Sequence, residues 1–165
     1  MYDEILVVVG TEQQKEQVQA HMGGLVILVD RVQCVGPLAG IMTGASFARN
    51  EYCQILPVDS PLSNREVLRE LASHATGHDA AVPKWPDGRI EPLHSVFRAK
   101  AAAREAELLI GHGDYSVISV INALPNIRYV RVDQLRQLDP DLDTFANANT
   151  KSDIDKIASK LERTR

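Results

Sequence analysis

Residues 5–9, Ile-Leu-Val-Val-Val, form a short unbroken apolar run rich in β-branched side chains, and residues 25–29, Leu-Val-Ile-Leu-Val, form a second. Runs of this length and kind suit strands covered on both faces. Between them, Thr11 and Gln14 make a Thr-x-x-Gln helix-start box, and Gly23 and Gly24 supply a stop. Strand, helix, strand in this order predicts a right-handed βαβ unit, which confines the chain to the α/β class.

The alternation continues along the chain. Pro37 suits the first turn of a helix running to about residue 49. Residues 52–56 read as a third strand, and Ser63 with Glu66 forms a Ser-x-x-Glu start to the next helix. Residues 79–82 and 93–97 read as strands on either side of a turn at Trp85-Pro86-Asp87-Gly88. The Ala/Glu-rich stretch 100–109 is helical up to Gly111, and a short helix is expected at 117–123. A strand at 127–132 and an extended segment at 145–150 precede a last helix at about 152–161. A length of 165 residues suits one domain spanning 1–165, built around a mostly parallel sheet.

Charge narrows the partners. The net charge is −4 and no basic block stands out, which argues against a nucleic-acid backbone as ligand. No apolar stretch approaches the roughly 20 residues of a membrane span. Tyr2, Asp3 and Glu4 stand where a secretory signal carries basic residues, so the expected location is cytoplasmic. Cys34 and Cys53 make no metal-binding pattern.

In open parallel sheets, ligands bind beyond the carboxyl ends of the strands. Asp30, the segment Val58-Asp59-Ser60-Pro61 and the segment Asn147-Ala148-Asn149-Thr150 sit at such ends. Asp59 follows an apolar strand between two prolines, where a carboxylate can hold Mg²⁺ against phosphates or simply cap a turn. Gly36 and Gly40 flank the start of a helix, where backbone can approach an anion, or where helix and sheet pack closely. Asp30 can hydrogen-bond a base or ribose, or cap a turn. Asn147 and Asn149 share one face of an extended segment. His94, after Glu91, can meet a phosphate or serve a structural role.

Taken in order, the VVVG strand end at Val7 to Gly10, Val29-Asp30, Gly36-Pro37-Leu38-Ala39-Gly40, Val58-Asp59-Ser60-Pro61, Glu91-Pro92-Leu93-His94 and Phe145-Ala146-Asn147-Ala148-Asn149-Thr150 resemble the molybdenum cofactor guanylyltransferases, the MobA-type nucleotidyltransferases. GPLAG, the D-x-P turn and the late N-x-N-T are the most specific parts. The resemblance implies a Rossmann-like nucleotidyltransferase fold with helices on both faces of the sheet. It implies transfer of GMP from GTP to molybdenum-bearing molybdopterin, with Mg²⁺ as cofactor. Asp59 matches the catalytic, metal-binding aspartate. Gly10, Asp30, Gly36, Pro37, Leu38 and Gly40 join it on the nucleotide side. Asn147, Asn149 and His94 fall on the molybdopterin side. Homodimerisation or contact with molybdoenzyme-maturation proteins would fit such a role.

Members of the family also carry an N-terminal strand and an L-A-G-G-x-S-x-R-M-G-x-D-K-type loop, and this sequence contains no such motif. The first family strand is therefore expected to be missing, and with it the main phosphate cradle, so that little GMP transfer is expected of the chain alone. The alternatives are a non-catalytic nucleotide- or partner-binding paralogue and a cytidylyl or sugar-phosphate nucleotidyltransferase. The missing strand would separate the strands at 5–9 and 52–56. Those two are expected to close up directly or to accept a strand from another molecule, in preference to leaving an open gap.

Overall fold

The computed structural model describes residues 2–33 and 35–163, so Cys34 lies outside the described residues. In chain order the elements are β1 (Leu6–Val9), α1 (Glu12–His21), β2 (Val26–Val29), α2 (Pro37–Phe47), β3 (Tyr52–Gln54), α3 (Arg65–Ala75), β4 (Ala80–Lys84), β5 (Val96–Arg98), α4 (Ala99–Gly111), α5 (Val117–Ala123), β6 (Ile127–Arg131), α6 (Val132–Leu135) and α7 (Lys151–Arg163). Short 3₁₀ turns occupy Pro92–His94 and Asp143–Phe145.

The local signals act as expected at α1, where Thr11 and Gln14 make the reciprocal capping box. At α3 the cap shifts by one residue. Asn64 accepts the N–H groups of Glu66 and Val67, while the Ser63 hydroxyl donates to the Ser60 carbonyl. The backbone N–H of Asn64 also donates to Thr144 Oγ1 at 3.0 Å, a tertiary contact that favours Asn64 in the cap.

The sheet departs from the mostly parallel expectation. β1 and β2 pair in parallel as a two-stranded sheet, and the other strands form a four-stranded sheet in the order β3-β5-β4-β6. Only β4–β6 is parallel there, because β5 returns through the turn at residues 85–88 and inserts antiparallel between β3 and β4. Beyond Ala81 the returning limb of that turn takes over as neighbour of β4. Trp85 N–H donates to Arg89 O, and Glu91 N–H donates to Pro83 O.

Side-chain alternation divides the core between the two faces of the larger sheet. Ala80, Val82 and Phe97 pack with Leu38 and Met42 of α2, Ala102 and Ala106 of α4, and Val120 and Ile121 of α5. Ala81, Val96 and Val130 pack on the other face with Val67 and Leu71 of α3 and Leu135 of α6. Helices thus cover both faces. Each large apolar side chain fully buried here stabilises the fold by about 1.5–3 kcal/mol.

The β1–α1–β2 layer is less buried than its apolar runs suggest. All four residues of β1 are half-buried, Val26 is exposed, and α1 contributes no buried residue. The composition of α1, Glu-Gln-Gln-Lys-Glu-Gln-Val-Gln-Ala-His, leaves almost no apolar stripe to cover a strand. The layer docks mainly through α2. A Cβ on Gly44 would lie 3.3 Å from Val8 Cγ2, so the missing side chain is what lets helix and strand meet.

β1 and β3 do not pair, so the expected direct closure does not occur within this chain. The segment ahead of β1 reaches β3 and the loop before it through side chains. Glu4 pairs with Arg49 at 2.9 Å, and the Tyr2 hydroxyl donates to the Gln54 side chain. These ties hold the strands near each other without a ladder, and the edge groups they leave open are those a further strand would satisfy.

Candidate active site

After β3 the chain turns through residues 57–61 and places Asp59 half-buried, between a fully exposed Val58 and a buried Ser60. Two bonds fasten this turn to the segment before α7. The Asp59 carbonyl accepts the N–H of Ala148 at 2.7 Å, and the Ser60 hydroxyl donates to Asn147 Oδ1 at 2.8 Å. The Asp59 carboxylate itself forms no hydrogen bond or salt bridge among the described residues.

His94 stands behind Ser60, with Nε2 at 3.2 Å from the hydroxyl oxygen and only 2% of its surface exposed. Burial holds its pKa below the ordinary histidine value, against the opposing pull of the Glu91 carboxylate, the Thr144 backbone and the Asp59 carboxylate. Its ring meets the Phe145 ring edge-on at 5.2 Å, and Phe145 meets Trp85 at 5.9 Å. The Trp85 indole N–H donates to Glu91 Oε1 at 2.6 Å, so Glu91 is anchored beside the histidine. The wall is completed by buried Asp139, whose Oδ2 accepts the N–H and hydroxyl of Thr144 at 2.8 and 2.7 Å.

Asp30, Gly36 and Gly40 form a second group at the end of β2. The N–H of Asp30 donates to Val9 O at 2.8 Å and extends the β1–β2 ladder. Its Oδ1 is buried without a hydrogen-bond partner, and burial raises its pKa. Oδ1 faces α2, lying 3.8 Å from where a Cβ on Gly40 would be. Gly36 has φ 71° and ψ −156°, a backbone shape open only to glycine, and it starts α2 with no side-chain cap. Pro37 follows at the first helical position. The Leu38 side chain is fully buried in the core, so only its backbone can meet a ligand.

Gly10 and Asn149 are tied to helix starts. The Gly10 N–H donates to Gln14 Oε1 at 2.9 Å. Asn149 is exposed and precedes Thr150, which caps α7 through Asp153. The structure thus joins Asp59, His94 and Asn147 through Ser60, and Asp30 with the α2 start. No hydrogen bond among the described residues links these two groups. The sequence motifs assign no role to Ser60 and do not point to Trp85, Asp139 or Thr144. Ser60 and Trp85 meet the site across distant parts of the chain, through Asn147 and Phe145. Burial pushes the Cys53 pKa up to about 12, which favours the thiol over the thiolate.

The pattern of the MobA-like NTP transferase domain matches residues 1–128. The chain belongs to the MobA-like NTP transferase family. It is 35% identical over 128 residues to a probable molybdenum cofactor guanylyltransferase of Methanosarcina mazei, covering 78% of this chain and 57% of that protein. A relative of the same description from Methanosarcina acetivorans is 36% identical over 133 residues, covering 80% and 59%. The chain therefore spans somewhat under three-fifths of the length of these curated relatives. Among solved structures, molybdopterin-guanine dinucleotide biosynthesis protein A from Archaeoglobus fulgidus superposes with TM-score 0.80 at 29% identity, covering 94% of this chain and 78% of that one. No helix among the described residues is long and apolar enough to cross a membrane.

Proposed function

We propose that this chain carries residues of a site at which GMP passes from GTP to molybdenum-bearing molybdopterin, giving the guanine dinucleotide form of the cofactor, with slow turnover expected without the glycine-rich loop that the sequence lacks. A phosphate oxygen of molybdopterin attacks the α-phosphorus of GTP, the bond to the β-phosphate breaks, and pyrophosphate leaves. The observation that carries this reading is the clamp between the Asp59 turn and the Asn147–Ala148 segment, which sets an uncommitted carboxylate beside a fixed amide.

The donor set fits Mg²⁺. Among the described residues no group of three His, Cys, Asp or Glu can hold a metal by protein alone. One free carboxylate is what Mg²⁺ uses when phosphate oxygens and water fill its other positions, and Asp59 would hold it. When bound, the ion supplies charge neutralisation for the triphosphate. Asp30 would receive an amino group or hydroxyl of the nucleoside, and the backbone at Gly36 to Gly40 would approach it closely. Gly10 would border the nucleotide, with its N–H already engaged in the α1 cap. Asn147 and Asn149 would position molybdopterin for in-line attack, and such positioning supplies much of phosphoryl-transfer catalysis. His94 is too buried to touch a ligand and would act through Ser60.

The test is incubation with Mg²⁺, molybdenum-loaded molybdopterin and either GTP or CTP, read by the mass of the dinucleotide and by pyrophosphate release. A guanine dinucleotide is expected. A cytosine dinucleotide would reassign the base, and no dinucleotide with either would leave a binding role without catalysis.

A further inference from the structure

A groove of about 450 Å³ opens beside the carboxyl ends of β4 and β6, the parallel pair of the larger sheet. Small-molecule sites usually enclose roughly 300–1,000 Å³, and the carboxyl ends of parallel strands are where open sheets bind ligands. Lys84, Arg89, Glu91, Ile118 and Tyr129 line the groove, with Gly88 at the turn. Strand register fixes its face. Tyr129 is the partner of Val82 and Lys84 lies two residues further along β4, so both point to the side on which Val82 packs with Val120 and Ile121 of α5. Trp85 and Phe145 pack on the opposite side. Among the described residues, neither Asp59, Asp30 nor Asn147 lines the groove.

The groups that face it are uncommitted. The Lys84 ammonium forms no ion pair or hydrogen bond among the described residues, and its contact is the Tyr129 ring at 4.9 Å. Arg89 uses Nε for Asp87 at 2.7 Å and keeps both terminal nitrogens unbonded. Glu91 uses Oε1 for the Trp85 indole at 2.6 Å, which fixes the carboxylate and leaves Oε2 without a hydrogen bond. Ile118 and Tyr129 are 49% and 42% exposed and make the apolar sides. A bare anion would be drawn by the two cations and repelled by Glu91. An apolar molecule would leave all three charged groups unused. A ligand with an anionic group, a flat body and an N–H donor uses the whole lining. We infer that the groove is a second small-molecule site, separate from the Asp59 turn, that takes a phosphorylated heterocycle. The phosphate meets Lys84 and Arg89, the ring lies between Ile118 and Tyr129, and a ring N–H donates to Glu91.

The test uses the whole chain labelled with nitrogen-15 and titrated with GMP, guanosine and inorganic phosphate. GMP carries all three groups, and each of the other probes lacks at least one. The Gly88 and Tyr129 amides are expected to shift saturably with GMP, and guanosine and phosphate are expected to bind there about tenfold more weakly or less. Lys84→Gln removes an exposed charge that no fold contact uses. It should weaken GMP binding at these two amides by about tenfold, the loss of one charge-assisted hydrogen bond. GMP held at the start of α2 is read separately at the Asp30 amide, where the variant should change nothing. Ile118→Glu sets a second carboxylate at the apolar side and should weaken GMP at the groove by a similar factor. No saturable shift with GMP, equal binding of GMP and inorganic phosphate, or unchanged GMP binding by either folded variant would each overturn the inference. The titration reads no catalysis, so the presence or absence of GMP transfer bears on the Asp59 turn alone.

Discussion

The backbone N–H of Ala148 donates to the carbonyl of Asp59 at 2.7 Å, joining residues 89 positions apart in the chain. With the Ser60–Asn147 bond beside it, this contact makes the turn after β3 and the segment before α7 a single rigid wall. The Asp59 carboxylate is left free to face a ligand because the turn is held by its backbone and by its neighbour.

Asp59→Asn is therefore expected to fold normally, since the side chain makes no bond that the fold uses. GMP transfer by the variant should fall by about 10²–10³-fold, the scale of several kcal/mol of lost charge stabilisation. Pyrophosphate release alongside a thermal melt checks both halves. Near-normal transfer by a folded variant would remove Asp59 from the metal role.

Asp30→Asn should stabilise the protein at neutral pH. Burial raises the folded-state pKa of Asp30, and its Oδ1 has no partner. At a pH below the ordinary value of about 3.9, both folded and unfolded chains hold the proton and the group costs nothing. As pH rises, the unfolded chain releases its proton first, so stability is lost through the window up to the raised pKa. The variant escapes that loss. Its melting temperature should exceed that of the unmodified chain at pH 7, with the advantage vanishing near pH 3. No difference at pH 7 would mean that the carboxylate is satisfied in solution.

Gly36→Ala should cost about 1–3 kcal/mol, the range for a non-glycine residue forced into such a backbone shape. Nothing lies within 4 Å of the added Cβ, so the penalty is conformational and not a clash. Urea unfolding measures it. A cost below about 0.5 kcal/mol, the usual range of neutral surface changes, would show that the start of α2 relaxes around the substitution.

Thr144→Val removes a hydroxyl that donates to buried Asp139 and accepts from the N–H of Asn64. Two partners are left underused at once, which predicts a loss of about 1–3 kcal/mol or more in denaturant titration. An unchanged midpoint would mean that water replaces the hydroxyl.

Local chemistry made many of these elements legible before any coordinates. The Thr11–Gln14 box starts α1 as read, because both halves of it lie within one turn. Pro37 likewise marks the start of α2, and the short helix expected at 117–123 forms as α5. Strand direction was not legible. Residues 93–97, Leu-His-Ser-Val-Phe, carry no mark of strand direction, and the antiparallel entry of β5 is decided by the limbs of the turn at 85–88. Ser63 and Asn64 can both cap a helix, and Thr144, 80 residues away, tips the balance to Asn64. In the candidate site, Asp59 and Asn147 stood out by motif. Ser60, the atom bridge between them and His94, has sequence separations of 87 and 34 that no local pattern encodes.

The thinly covered β1–α1–β2 layer has a consequence for how any nucleotide is held. Among the described residues of that layer only Ile27 is buried, so its amides should exchange with solvent through small openings that leave the four-stranded sheet intact. Asp30 hangs from the end of this layer. A ligand that grips Asp30 must draw on the fraction of molecules in which the layer is closed, and its apparent affinity falls by that fraction. Binding and ordering are then linked in both directions. Whatever covers the layer tightens the nucleotide, and the nucleotide in turn slows exchange in β1 and β2.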